Sequence, residues 1–151
     1  MIAEFVNLKQ VGLSREQTLA RLVAWHQGRG RRVLVLAGDQ ARAQELDALL
    51  WTYDPASFLP HALAGGPDQE REPVLVASQP LNPHGAIVRV QVQVQDAPEL
   101  DLPLDMAPGL EHLILLVPPD EGPELEAYRQ RYKELSQTPG VKMRHTTKLP
   151  D

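Results

Sequence analysis

The amino-acid sequence predicts a single α/β domain over residues 1–151, three-layered, with a mostly parallel sheet flanked by helices. Arg32-Val33-Leu34-Val35-Leu36-Ala37 is a continuous apolar run of strand length, the pattern of a strand covered on both faces. Two segments with helical spacing bracket it, one opened by Ser14 and the other by Asp39. Further strand-like runs and a last helix fill the rest of the chain, and at 151 residues one core is the default.

Taken in order, Ile2 to Leu8 is a short run with β-prone Ile, Phe and Val, a first strand. Ser14-Arg15-Glu16-Gln17 has the capping-box pattern, in which hydroxyl and amide satisfy backbone donors left over at a helix start. Leu19, Leu22, Val23 and His26 follow at helical spacing, and Gly28 and Gly30 are expected to stop the helix through left-handed backbone angles. After the Val33 strand, Gly38-Asp39 turns the chain. Asp39 caps a helix with the apolar stripe Leu46, Leu49 and Leu50, ending near Trp51.

Phe58-Leu59-Pro60-His61 and Pro73 to Ala77 read as two more strands on either side of a polar, glycine-containing loop from Gly65 to Glu72. Ile87 to Gln95 alternates, Val88, Val90, Val92 and Val94 against Arg89, Gln91 and Gln93, which predicts a strand buried on its valine face alone. His112 to Val117 is another strand. Pro123 suits the first turn of a final helix running to about Gln137, whose stripe of Leu125, Tyr128, Tyr132 and Leu135 is expected to pack on the sheet. Pro139-Gly140 ends it, and Val141 to Lys148 forms a tail lying extended against the body.

The composition narrows the function. There is no cysteine, so there is no disulfide, no thiolate nucleophile and no cysteine-ligated zinc; the simplest expectation is a cytoplasmic protein. No run approaches the roughly 20 apolar residues that span a bilayer, and the start lacks the pattern of an export signal. A net charge of −5 argues against a surface that binds nucleic acid throughout, because such affinity is built from phosphate neutralisation.

Catalytic motifs are equally sparse. The strand-helix start is Rossmann-like but without a nucleotide site: Gly28 to Arg32 lacks the Lys and Ser or Thr that end a phosphate loop, and Ala37-Gly38-Asp39 has one glycine where the dinucleotide fingerprint needs three. The five histidines, 26, 61, 84, 112 and 145, have no metal-ligand spacing and are expected to stand apart. Glu99, Asp101 and Asp105 are interrupted by proline and leucine and read as a solvated acidic loop, not a calcium loop. No Gly-x-Ser-x-Gly elbow occurs. No catalytic residue, cofactor or metal is expected.

Charge is segregated instead. Residues 96 to 126 hold nine acidic side chains and no Lys or Arg, whereas residues 129 to 148 hold six basic side chains and only Glu134 against them. On the last helix Arg129 and Lys133 are four apart and Tyr132 lies three beyond Arg129, so the three project from adjacent surface. Two cations beside an aromatic make a receptor for a carboxylate with an apolar neighbour. Helix-dipole preference for late cations is the plainer explanation of the same spacing.

Several stretches together resemble the chi subunit family of bacterial DNA polymerase III. They are Arg32-Val33-Leu34-Val35 with the helix to Leu50-Trp51, Ser57-Phe58-Leu59-Pro60-His61-Ala62-Leu63-Ala64-Gly65, Leu116-Val117-Pro118, and Arg131-Tyr132-Lys133. The resemblance implies an accessory protein of the clamp loader, not an enzyme by itself though part of a DNA-directed DNA polymerase complex. It implies two partners, the psi subunit and the acidic C-terminal tail of single-stranded-DNA-binding protein, and in some members a helicase. Carried over residue by residue, the tail pocket is Arg129, Tyr132 and Lys133 on the last helix, with Phe58 beneath, Val117 at a strand end and Met143 as a further apolar wall. The loop Asn82-Pro83-His84-Gly85 and residues 1–11 depart from the family pattern, and the psi-facing surface is not assigned.

Two rivals stand beside this reading. One is a nucleotide-using or helicase-type domain with degenerate motifs; the other is direct DNA binding by the basic end, with Tyr128 and Tyr132 as stacking platforms.

Overall fold

A computed structural model describes residues 1–37, 39–52, 61–66, 69–78, 85–92 and 109–150. Strand β1 (Ile2–Asn7) leads into a single turn, α1 (Leu8–Val11), and then α2 (Arg15–Gln27). The Ser14 capping box is formed: the Gln17 amide donates to the Ser14 hydroxyl at 3.1 Å and the Ser14 amide to the Gln17 side chain at 3.2 Å. At the far end Gly28 keeps a right-handed φ of −61°, so the expected left-handed stop there is corrected; Gly30, at φ +75°, makes that turn two residues later.

Strand β2 (Val33–Leu36) is buried at every position, as its apolar run requires. Asp39 then caps α3 (Gln40–Thr52), accepting from the Arg42 amide at 2.7 Å. Gly38 lies outside the described residues. Next come β3 (His61–Leu63) and β4 (Val74–Ala77); of the strand expected at 58–61 only His61 is described, and it opens β3. Then follow β5 (Val88–Gln91), β6 (His112–Val117), α4 (Pro123–Ser136) and β7 (Lys142–Thr146). The acidic stretch 96–108, the loop at 82–84 and the end of the valine alternation, 93–95, lie outside the described residues.

The strands form one sheet in the order β3-β4-β2-β5-β6-β1-β7, and every pairing is parallel. Parallel neighbours need crossover helices, which cover the faces. Leu19, Leu22 and Val23 of α2 and Ala43, Leu46 and Leu50 of α3 pack with the valine face of the sheet. On the other face Tyr128 and Leu135 of α4 pack with Ala3, Phe5, Leu113 and Leu115. This is the three-layer α/β arrangement the sequence predicts.

Strand β5 corrects one expectation. It sits at the middle of the sheet, between β2 and β6, and Arg89 and Gln91 are as buried as the valines, each 2% exposed. Arg89 and Gln91 lie level with Leu113 and Leu115 of β6, on the face that α4 packs against, so this polar face is covered and not solvated. The Arg89 guanidinium donates to the Gln91 side chain at 3.3 Å. The C-terminal tail is likewise more than a tail: β7 extends the sheet beyond β1, with Ala3 opposite Met143 and Phe5 opposite His145.

Candidate functional site

Strand β1 leaves the sheet toward the α2 face and β6 leaves it toward α4, so the connections after these two adjacent strands part to opposite sides. Such a switch point leaves a crevice outside the carboxyl ends of the strands. A cleft of about 660 Å³ lies there, lined by Phe5, Asn7 and Lys9 from the β1 end, Val117, Pro118, Pro119 and Glu121 from the β6 end, His145 from β7, and Leu125, Tyr128, Arg129 and Tyr132 from α4.

Its floor is apolar and its rim charged. Phe5, 3% exposed, meets the half-exposed Tyr132 ring edge to face, centroids 5.0 Å apart and planes at 70°. Tyr128 is 1% exposed and its hydroxyl donates to the Val92 carbonyl at 3.3 Å, so of the two tyrosines only Tyr132 offers a ring face to a ligand. Tyr132 departs in this from the expected buried stripe, and Tyr128 is not placed to stack on a nucleic-acid base. At the rim Arg129 pairs with Glu121 through both carboxylate oxygens, at 2.8 and 3.2 Å, and with Glu126 at 3.3 Å. Hydrogen bonding to Arg129 and its charge, with a smaller contribution from Lys9, hold the Glu121 carboxyl below its ordinary range.

Three of the residues assigned by resemblance therefore meet in one place: Arg129, Tyr132 and Val117 all line the cleft. Lys133 and Met143 are not among its lining residues. Lys133 is exposed one turn beyond Arg129, and Met143 is half-buried against the core beneath α4. Phe58 lies outside the described residues. Sequence reasoning missed Phe5, Lys9, Glu121 and His145. Phe5 and His145 face each other in the β1–β7 register, which strand pairing reveals and local sequence does not.

A second polar cluster lies at the opposite, amino end of the sheet. There His26 and His112, expected to stand apart, meet edge to face at 5.3 Å. His112 contacts Glu4 at 2.7 Å, and Thr146 donates to Glu4 at 2.5 Å, which ties β7 to β1 and β6. Burial works to raise the Glu4 pKa, but the bonds from His112 and Thr146 outweigh it and the pKa is lowered. His26, 3% exposed, has its pKa lowered to about 4, first by burial and then by the charges of His112 and Arg31. Among the described residues no group of three or more His, Asp or Glu side chains is placed to hold a metal ion, and no helix is long and apolar enough to cross a membrane.

Comparison with known proteins gives concordant matches. The model of a family described as "DNA polymerase III chi subunit, HolC" matches residues 2–143. The chain is 28% identical over 134 residues to the DNA polymerase III subunit chi of Haemophilus influenzae, a match covering 87% of this chain and 86% of that protein. It is 39% identical over 67 residues to the DNA polymerase III subunit chi of Escherichia coli K12, covering 44% of this chain and 46% of that protein.

Proposed function

The chain belongs to the DNA polymerase III chi subunit family, and on that basis we propose that it is a non-catalytic, cytoplasmic accessory subunit that links the replication machinery to single-stranded-DNA-binding protein. It takes that protein's acidic C-terminal tail into the cleft at the ends of β1 and β6, and joins the clamp loader through the psi subunit. A helicase is a further partner of the same protein. DNA is reached only through these partners.

One observation carries the tail-binding reading: Arg129 and Tyr132 meet over an apolar floor at the switch point of the sheet. A peptide tail that combines acidic residues, an apolar aromatic and a free carboxylate needs a cation within reach of a greasy slot. Phe5, Val117 and Leu125 supply the slot and Arg129 the cation for the terminal carboxylate. Lys133, exposed beside it, serves the acidic residues upstream. The family resemblance also assigns Phe58 to tail binding; it lies outside the described residues.

The nucleotide-using alternative fares worse at the same crevice. The turn after β1 is Asn7-Leu8-Lys9-Gln10, without glycine, and its Gln10 amide is already taken by the Asn7 side chain at 3.1 Å. A phosphate there would need that amide free.

Titrating the purified protein with a labelled tail peptide tests the proposal. Arg129→Ala and Lys133→Ala are each expected to weaken binding, Arg129→Ala more, and added salt to weaken it further. Unchanged affinity in both variants would refute the pocket, and ATP turnover would favour the alternative.

A further inference from the structure

We propose that Glu121 is a built-in competitor for this cleft, its carboxylate occupying on Arg129 the place that an incoming peptide carboxylate takes, and that Lys9 on the opposite wall is the second cation of the site. This rests on the reading of the cleft as a receptor for an acidic peptide end.

The geometry at Arg129 is that of a ligand already bound. Both Glu121 oxygens sit on the guanidinium, at 2.8 and 3.2 Å, the two-pronged arrangement that guanidinium and carboxylate favour. Glu121 reaches it from the loop after β6, behind Pro118 and Pro119, and is itself a lining residue of the cleft. Its side chain is 76% exposed and that of Arg129 54%, so the pair is open to water and, as a surface ion pair, is weak enough for another carboxylate to compete with. Glu126, one turn before Arg129 on α4, reaches only one nitrogen, at 3.3 Å, and does not line the cleft.

Lys9 stands across the cleft on α1. Its charge contributes to lowering the Glu121 pKa, so a carboxylate at that position lies in the field of both cations. Unlike Arg129, Lys9 makes no hydrogen bond or ion pair among the described residues, so its ammonium is open to a direct contact with a ligand. Phe5, Val117 and Leu125 line the same cleft and supply its apolar surface. A ligand bridging the cleft thus meets cation, apolar floor, cation. An acidic side chain placed shortly before a terminal aromatic residue reaches Lys9 while the terminal carboxylate displaces Glu121.

The test uses the full chain and a synthetic acidic peptide ending in phenylalanine, with a free carboxylate or as its C-terminal amide. Glu121→Gln is expected to tighten binding of the free acid about two- to fivefold, the range of an exposed ion pair. Glu126→Gln does so less, and the Glu121→Gln gain disappears with the amide or in an Arg129→Ala background. Lys9→Gln is expected to weaken binding about two- to fivefold and to flatten its salt dependence. No gain from Glu121→Gln, or the same gain with the amide, overturns the competitor role; unchanged affinity in Lys9→Gln overturns the second cation. If Arg129→Ala also leaves affinity unchanged, the tail-binding reading falls. If Arg129→Ala loses binding while Glu121→Gln and Lys9→Gln change nothing, only this inference falls.

Discussion

His26 makes the stability of the fold depend on pH in a direction that the geometry fixes. Arg31 approaches the His26 Nδ1 at 3.0 Å, and a guanidinium only donates, so Nδ1 accepts and the ring is neutral with its proton on Nε2. Burial, His112 and Arg31 lower its pKa from 6.5 to about 4. In the unfolded chain the ring protonates near its ordinary value, so between these limits the unfolded state binds the extra proton and stability falls as pH falls. The drop from 6.5 to about 4 corresponds to about 3 kcal/mol in all, of which about 2 kcal/mol is lost between pH 7 and pH 5. Glu4 acts in the same direction but lower, because its lowered pKa removes stability only as pH falls below 4.5. Urea denaturation followed by circular dichroism at pH 7, 6 and 5 reads the loss directly. His26→Asn, which keeps an acceptor for Arg31 and does not titrate, is expected to be less stable at pH 7 and to lose about 2 kcal/mol less on going to pH 5. An equal acid loss in wild type and variant would refute the assignment to His26.

Ser14→Ala removes the hydroxyl that accepts the Gln17 amide and is expected to cost about 1 kcal/mol, a fall of roughly 2–4 °C in Tm by calorimetry, without altering peptide affinity. Tyr132→Ala separates stability from binding: its ring is 42% exposed and meets Phe5 edge on, so thermal stability falls by about 1 kcal/mol while peptide affinity falls at least tenfold. Tyr132→Phe is expected to leave stability unchanged, since the hydroxyl makes no hydrogen bond among the described residues. Affinity in Tyr132→Ala equal to wild type would count against the cleft.

The elements were legible because their signals are local. The Ser14 capping box, the apolar run 33–36, Asp39 as a cap and Pro123 at a first turn each act within a few residues, and each is formed where the sequence places it. What failed depended on neighbours. Alternation at 87–95 specifies a one-sided strand only if the second face meets water, and here Arg89 and Gln91 lie level with Leu113 and Leu115 on the face that α4 packs against. The helix stripe at Tyr128 and Tyr132 has one period but two fates: Tyr128 is buried against the sheet, whereas Tyr132 stays half-exposed at the cleft with its ring edge to face on Phe5. Arg129 and Tyr132 were legible as a pair from spacing. Phe5, Lys9 and His145 were not, since they join α4 only through strand order.

Strand order also explains why this crevice suits a carboxylate. Inserting β1 between β6 and β7 puts the departures of β1 and β6 side by side and on opposite faces, which opens the kind of gap where doubly wound α/β sheets hold a nucleotide phosphate. A phosphate site there draws on backbone amides exposed by a glycine-rich turn. Here the turn after β1 is closed by Asn7, and the positive charge comes from side chains, Lys9 on α1 and Arg129 on α4. Side-chain cations set apart by an apolar floor reward a ligand whose charges are equally separated by a hydrophobic group. A compact polyanion offers that floor nothing, whereas the end of a peptide chain, with its carboxylate, its last side chain and an acidic residue before it, matches all three in sequence.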